Sequence, residues 1–245
     1  MAATDGNRLL GAALVAMLAF GGFNLLNTVA GAFGGATAGP PQPPDSAAHA
    51  LPVAPAYAPE QQRTAKGSTA VAPPSSSSAT AAPYFAPAMP YAVPMRIAIP
   101  RVGIDAALIK VGLTRSGALG VPRLGDALKA AWYRRGPAPG QTGPAVIDAH
   151  VDSRAVPGNR AAFYSLGAVR PGDRVDVARK DGQVAEFTVD SVELVRKRDF
   201  PTEKVYGAVP YAALRLITCG GAFQQGIGYL DNVIVYAHLT GRHRA

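Results

Sequence analysis

The fold and the chemistry of this chain are decided by residues 214–221, which read Leu214-Arg215-Leu216-Ile217-Thr218-Cys219-Gly220-Gly221. The apolar run predicts a buried β-strand, and the two glycines that follow it let the backbone turn sharply away. Cys219 is the only cysteine among 245 residues, so an internal disulfide is excluded. A lone cysteine after an apolar strand is more often a small core residue than a nucleophile, and both interpretations stay open at this point.

The positive charge of the chain is concentrated in its C-terminal part. Of 24 Lys/Arg and 16 Asp/Glu residues, three of each precede residue 94, which leaves 21 basic and 13 acidic residues after it. A basic domain favours anionic surroundings such as phospholipid headgroups or wall polymers, although the same charge also serves as a solvated surface. The domain lacks an aromatic-basic recognition pattern, so no nucleic-acid partner is expected.

An apolar run near the N-terminus predicts export. Residues 9–33 carry no charged side chain and are long enough for a membrane-spanning helix, which needs about 20 apolar residues. Arg8 precedes the run and no Lys or Arg follows until Arg63, so we expect residues 1–8 in the cytoplasm and the remainder outside. This arrangement is a single-pass protein of the plasma membrane. A cleaved signal peptide is the alternative, because residues 36–38 (Ala-Thr-Ala) fit a cleavage pattern, but we favour the transmembrane anchor.

Residues 34–92 are predicted to be a flexible linker. They are rich in Ala, Pro and Ser, and they include the run Pro40-Pro41-Gln42-Pro43-Pro44. They lack the spaced large apolar residues that would offset the entropy of ordering. A coil of this length spans on the order of 45 Å, so the linker would hold a folded domain above the membrane.

Residues 93–240 are predicted to form one β-rich domain, followed by a tail at 241–245. Apolar residues alternate along the first strand, at Met95, Ile97 and Ile99. Further strands are expected near 102–111, 145–149, 174–177, 185–195, 214–218 and 233–237. Short helices are expected at 125–131 and 159–166. The fold class is therefore mainly β, with a barrel or sandwich of mainly antiparallel strands.

A histidine at the end of a second buried strand gives Cys219 a candidate partner. Residues 146–153 read as a strand that ends at His150 and enters a loop. The other three histidines lie in the linker or at the end of the domain, so His150 alone has a site-like setting. A strand histidine is often only a satisfied core residue. A thiolate and an imidazole are, however, the pair that covalent acyl transfer requires.

These residues carry a resemblance to the sortase family. Ile217-Thr218-Cys219, preceded by Arg215-Leu216, resembles the TLxTC signature of that family, with Arg215 in place of the first Thr. The segment from Ala149 to Ser153 resembles the family's histidine segment, with Ala149 replacing the usual Gly. The resemblance extends from about Pro94 to Leu239 and is strongest to class F sortases of actinobacteria.

The resemblance implies a closed β-barrel transpeptidase with short helices. Cys219 would attack an LPxTG-type sorting signal and form a thioester, and His150 would protonate the departing amine. The implied partners are sorting-signal peptides of exported proteins, a peptidoglycan precursor or other amine acceptor, and the bacterial plasma membrane, with the chain as a monomer. No cofactor is implied, and one cysteine with one useful histidine cannot complete a closed metal site of nitrogen and sulfur ligands.

The sequence departs from the sortase pattern at the position where the family has an arginine. Its usual place near the start of the last strand is held by Leu230, which cannot stabilise an oxyanion with charged donors. Asn232 and Arg154 are candidate substitutes, whereas Arg215 is expected too far along its strand from Cys219. The other interpretation of both arginines is a solvated surface charge. The departure keeps a second hypothesis open, a non-catalytic or weakly active tethered β domain that binds cell-wall polymer or peptide.

Overall fold

Eight strands close into a barrel in the computed structural model, which describes residues 39–43 and 84–245. The strands are β1 (Pro94–Ile99), β2 (Ile104–Val111), β3 (Ala130–Tyr133), β4 (Gly143–Asp148), β5 (Arg174–Arg179), β6 (Gln183–Arg196), β7 (Ala212–Gln224) and β8 (Gly228–Arg244). One short α-helix, α1 (Thr202–Tyr206), lies between β6 and β7. The short 3₁₀ turns are Pro100–Val102, Leu124–Asp126, Pro157–Asn159, Leu166–Ala168 and Lys197–Asp199.

The order of the strands around the barrel is β1-β2-β3-β4-β7-β8-β6-β5, and β5 pairs with β1 to close it. Most neighbouring strands are antiparallel, which confirms the predicted mainly β barrel. Two pairs, β2 with β3 and β4 with β7, are parallel. The parallel β4/β7 pair aligns Gly143–Asp148 with residues 212–217, and β7 then continues to Gln224 alongside β8.

Residues 214–217 of β7 are buried on both faces of the strand. Leu214 and Leu216 point into the barrel with the main core. Ile217 points outward, but it is also fully buried, because α1 covers that face and adds Val205 to a second apolar cluster. A side chain of this kind contributes about 1.5–3 kcal/mol when it is fully buried. The strand is therefore covered on both faces up to the residue before Thr218.

The structure differs from the predicted short helices. Residues 125–131 were expected to be helical, but only Leu124–Asp126 forms a 3₁₀ turn, and the chain then enters β3. Trp132 and its two preceding alanines are buried between β2 and β4, and these pairings override the weak helix preference of so short a segment. Residues 159–166 likewise lie between two 3₁₀ turns rather than in a helix.

Residues 84–92 fall in the predicted linker, yet they lie along the barrel. Met89 is buried, and its backbone N–H donates a hydrogen bond to the Gly140 carbonyl at 2.7 Å. The buried guanidinium of Arg179 donates to the carbonyl oxygen of Pro90 at 2.6 Å. The part of the chain that packs on the barrel thus begins at least nine residues before the strand that opens the domain.

The predicted cytoplasmic residues 1–8, the predicted membrane segment 9–33 and most of the predicted linker lie outside the described residues. Within 39–43 and 84–245, no helix has the length and apolar character needed to cross a bilayer. The anchor and its orientation stay predictions from the sequence.

Truncation should show that residues 84–93 belong to the folded unit. We expect a fragment of residues 94–245 to be less stable than one of residues 84–245 by about 2–4 kcal/mol, because Met89 loses its burial and Arg179 loses a buried acceptor. Urea unfolding followed by tryptophan fluorescence measures the difference. Tyr84→Ala in the longer fragment is the control, since Tyr84 is 67% exposed and should leave the unfolding midpoint unchanged. Equal midpoints for the two fragments would contradict the assignment.

Candidate active site

Cys219 lies on the outer face of the barrel, near the end of β7. Ile217, two residues before it, belongs to the outer apolar cluster, and alternation places both side chains on the same face. Cys219 pairs with Asn232 of β8 and is partly exposed. The thiol is therefore half-buried at the surface rather than a core side chain.

The parallel β4/β7 pair aligns the two segments that carry His150 and Cys219. Asp148 pairs with Ile217, and the Ala149 N–H donates to the Ile217 carbonyl at 3.2 Å. The β4/β7 ladder ends at this pair, and His150 and Cys219 each lie two residues beyond it along the chain. β7 continues past Cys219 to Gln224, so only His150 follows the end of a strand.

A side-chain hydrogen bond holds the two strand ends together. The hydroxyl of Thr218 donates to the Ala149 carbonyl at 2.7 Å, and both groups are buried. The bond lies directly before both His150 and Cys219. This contact gives a physical reason for a threonine immediately before the cysteine.

The imidazole of His150 is oriented by the backbone. Its Nε2 lies 2.7 Å from the carbonyl oxygen of Pro122, in the loop before the Leu124–Asp126 turn. A carbonyl oxygen only accepts, so Nε2 carries the hydrogen in this contact. Nδ1 is then the ring nitrogen that acts as an acceptor in the neutral imidazole.

Two glycines follow Cys219 at an irregularity inside β7, which continues to Gln224 rather than turning away at them as the sequence predicts. Gly221 has a φ of +73°, and a Cβ at this position would clash with the Asp231 carboxylate. A Cβ at Gly220 would lie 2.7 Å from Cγ2 of Val233. The β7/β8 ladder also shifts register between Gly220 and Phe223. Both positions therefore require glycine, one for its backbone conformation and both for space.

A hydrogen bond joins the loop after His150 to the start of β8. The hydroxyl of Tyr229 donates to the Asp152 carboxylate at 2.7 Å. Burial raises the pKa of Tyr229, and the hydrogen bond to Asp152 raises it further, so the phenol keeps its proton. The Tyr229 ring also packs edge-to-face with Phe223, with centroids 5.2 Å apart. These contacts fix one side of the site.

Lys197 is a site residue that sequence reasoning missed. The β6/β8 register ends with Arg196 opposite Asp231, so Lys197 and Leu230 each lie one residue beyond the last pair. The positive charge of Lys197 lowers the pKa of both the Cys219 thiol and the Asp148 carboxyl, so its ammonium group lies within electrostatic reach of both. A cation is thus present next to the position where the family's arginine was expected. Only the pairing of β6 with β8, which links distant segments, could have revealed it.

Burial controls the protonation of the acidic groups at the site. It raises the pKa of the Cys219 thiol, against the opposing charge of Lys197. Burial also raises the pKa of Asp148 to about 8. At neutral pH the thiol is therefore mainly protonated, and Asp148 is mainly a neutral acid.

The structure corrects the interpretation of Arg215 as a solvated surface charge. Arg215 is 4% exposed, and its guanidinium donates to the Leu214 carbonyl at 3.1 Å and lies over the Tyr236 ring at 5.0 Å. It is buried because α1 covers the outer face of β7. Arg154 is exposed in the loop after His150, while Asn232 is buried opposite Cys219. Leu230 stands 39% exposed at the start of β8.

Protonation of Asp148 should make stability depend on pH. Its pKa in the folded chain, about 8, lies above the ordinary value of 3.8, so the stability due to the neutral acid is complete below about pH 4 and lost as the pH rises to about 8. We therefore expect Asp148→Asn to gain stability relative to the wild type between pH 5 and pH 8.5, as measured by urea unfolding. Asp126→Asn is the control, because the Asp126 side chain is 40% exposed and its hydrogen bond with Lys129 lowers its pKa. A constant difference between wild type and Asp148→Asn would contradict the raised pKa.

Comparison with solved structures finds several similar chains. Similar solved structures include the SrtA sortase from Actinomyces oris, at 20% identity over 67% of this chain and 89% of that chain, with a TM-score of 0.47. Sortase A of Listeria monocytogenes is 18% identical over 63% of this chain and 92% of that chain, with a TM-score of 0.45. Sortase C1 of Streptococcus agalactiae is 19% identical over 60% of this chain and 67% of that chain, also with a TM-score of 0.45.

No curated protein is similar enough in sequence to count as a match. The family model for the sortase domain, in contrast, matches residues 97–240, which is more than half of the chain and extends from β1 into β8. On that match, the chain belongs to the sortase family, whose members are cysteine transpeptidases.

Proposed function

We propose that this chain is an exported cysteine transpeptidase, most similar to class F sortases of actinobacteria, that transfers exported proteins to an amine of the cell wall. It would cleave an LPxTG-type sorting signal, with the barrel held outside the plasma membrane by residues 9–33. The single observation that supports the proposal most directly is the β4/β7 register, whose last pair, Asp148 with Ile217, lies two residues before both His150 and Cys219.

The proposed reaction has two halves. The Cys219 thiolate attacks the scissile carbonyl carbon, and the tetrahedral intermediate expels the amine, which takes a proton from the His150 imidazolium. A thioester remains on Cys219. The acceptor amine then attacks the thioester, gives its proton to neutral His150, and the thiolate leaves.

The protonation state of the Cys219 thiol is consistent with these roles of Cys219 and His150. Because the pKa of the thiol is raised, the thiolate with an imidazolium is a minor form of the resting site. In that form each group already has the state that the first half requires. The low population limits the reactivity of the thiol before a peptide is bound.

We propose that Lys197 supplies the charge that the family's arginine would otherwise supply. Its neighbour Leu230 holds the expected place of that arginine, and the Lys197 charge acts on Cys219. An ammonium group stabilises a developing oxyanion as a point charge, without the bidentate geometry of a guanidinium. The absence of an arginine at Leu230 is then compatible with activity.

The second hypothesis, a peptide-binding domain with little or no activity, is favoured by Leu230 and by the raised pKa of the thiol. The two hypotheses differ in one respect. The enzyme forms a covalent bond between Cys219 and the peptide, whereas the binding domain holds the peptide without one.

A covalent adduct is the direct test. Residues 84–245 incubated with a labelled LPxTG-type peptide should gain the mass of the acyl fragment at Cys219, because the chain has no other cysteine. Cys219→Ala should show no adduct, while binding of the peptide to this variant, measured by fluorescence anisotropy, should persist. Peptide binding without an adduct, across a panel of related sorting motifs, would support the binding domain instead.

A pair of substitutions tests the proposed role of Lys197. Lys197→Met should lower kcat/KM by about 100- to 1000-fold, the usual loss on removing one oxyanion donor. Leu230→Arg should recover much of this loss in the Lys197→Met background and add little to the wild type. Lys180→Met is the matched control, since Lys180 is exposed on the turn between β5 and β6. An unchanged kcat/KM in Lys197→Met would refute the assignment.

A further inference from the structure

A short piece of the predicted linker lies on the barrel beside the candidate site. Residues 39–43, with the sequence Gly-Pro-Pro-Gln-Pro, are described although the residues before and after them are not. The side-chain carbonyl of Gln42 accepts a hydrogen bond of 2.7 Å from the backbone N–H of Gly221. Gly221 is two residues from Cys219, so the segment ends at the irregularity in β7 that follows the thiol.

The barrel has room for this segment because two glycines face it. A Cβ at Gly167, in the Leu166–Ala168 turn, would clash with the backbone of Pro41 and approach Cα of Gln42, and its three nearest atoms all belong to the segment. A Cβ at Gly220 would lie 3.2 Å from Oε1 of Gln42. The surface between these two glycines is therefore a groove that is filled by residues 39–43.

The segment has the properties of a specific ligand rather than of a loose chain. Pro43 is buried, and the Gln42 amide donates to the Pro40 carbonyl at 2.9 Å, which folds the side chain back along its own backbone. Proline residues lose little conformational entropy when an extended strand is bound. The segment carries no charge, and its one contact to a backbone donor is made by an amide oxygen, the same chemical group as a peptide carbonyl.

We propose that the groove between the Leu166–Ala168 turn and Gly220–Gly221 binds short, uncharged, proline-rich peptide strands, and that residues 39–43 occupy it as an intramolecular ligand. The Gly221 N–H, next to the thiol, is the donor that both this segment and an incoming peptide would use. Residues 39–43 then compete with external peptides. The competition with a sorting signal rests on the proposed function, whereas the docking itself does not.

Covalent attachment makes weak docking sufficient. A ligand joined to its own site by a linker acts at an effective concentration in the millimolar range. Occupancy therefore requires only a modest intrinsic affinity, and an external peptide of higher affinity displaces the segment. Peptides that bind more weakly than the segment are excluded from the groove, and peptides that bind more strongly displace the segment.

Hydrogen exchange at the Gly221 amide tests the docking in the full chain, solubilised in detergent micelles. Gln42→Ala removes the acceptor and should speed exchange at this amide by about two- to tenfold, the range expected for loss of one net hydrogen bond. Gly167→Ala should do the same, because its new methyl group displaces Pro41. Gln61→Ala in the linker and Gly125→Ala, where a Cβ would meet nothing within 4 Å, are the controls and should leave exchange unchanged.

Binding of a fluorescein-labelled Gly-Pro-Pro-Gln-Pro peptide distinguishes a change in the segment from a change in the groove. The Gln42→Ala chain keeps its groove and loses its competitor, so it should bind the peptide at least about fivefold more tightly than the wild type. The Gly167→Ala chain has an obstructed groove and should bind less than the wild type. These opposite shifts are not expected if either substitution acts by unfolding the barrel.

Three outcomes would overturn the inference. They are unchanged Gly221 exchange in both variants, peptide binding that is the same in Gln42→Ala and Gly167→Ala, or protection that decreases on dilution, which would place the segment in the groove of a second copy. All measurements can be made on a Cys219→Ala background. The docking can therefore fail while peptide cleavage by the unmodified chain succeeds, and the reverse.

Discussion

The geometry of the site depends on one hydrogen bond, from the Thr218 hydroxyl to the Ala149 carbonyl. The two residues are 69 positions apart, and the bond joins the end of β4 to the middle of β7, directly before His150 and Cys219. Beyond the bond the two segments differ, because β4 has ended at Asp148 whereas β7 continues through Cys219, which pairs with Asn232 of β8. A valine of similar shape at position 218 would pack as well but would leave the carbonyl without this donor.

The protonation of the site residues depends on the segments that cover the outer face of β7. The outer face of β7 would be solvent-exposed in a bare barrel, but α1 and the β6/β7 connection bury it, and the low polarity there raises the pKa values of Asp148 and Cys219. The same cover makes Lys197 effective, since a charge acts more strongly where water is excluded. The thiol is thus kept neutral by its surroundings and made ionisable by one nearby cation.

Local patterns in the sequence predicted those features of the structure that depend on local interactions. Alternating apolar residues located most strands, and the ends of two buried strands identified Cys219 and His150 as candidates. Residues whose role depends on distant pairing were missed. Trp132 lies in a strand because β2 and β4 flank it, Arg215 is buried because α1 covers it, and Lys197 reaches the site because β6 pairs with β8. None of these pairings leaves a periodic signal in its own segment.

The linker shows a second limit of prediction from the sequence, because its composition does not reveal which of its residues pack on the barrel. A stretch of Pro, Ala and Ser cannot bury enough apolar surface to form a core of its own, and that argument holds for residues 34–92 as a whole. It does not apply to a segment that fits a groove already formed by other residues, because the barrel supplies the buried surface and proline limits the entropy lost. Gly221 shows why this groove ends at the thiol. Its positive φ lies where the β7/β8 ladder shifts register after Cys219, and its N–H is a donor that Gln42 can reach. The irregular part of the strand that follows the cysteine therefore also binds the chain's own linker.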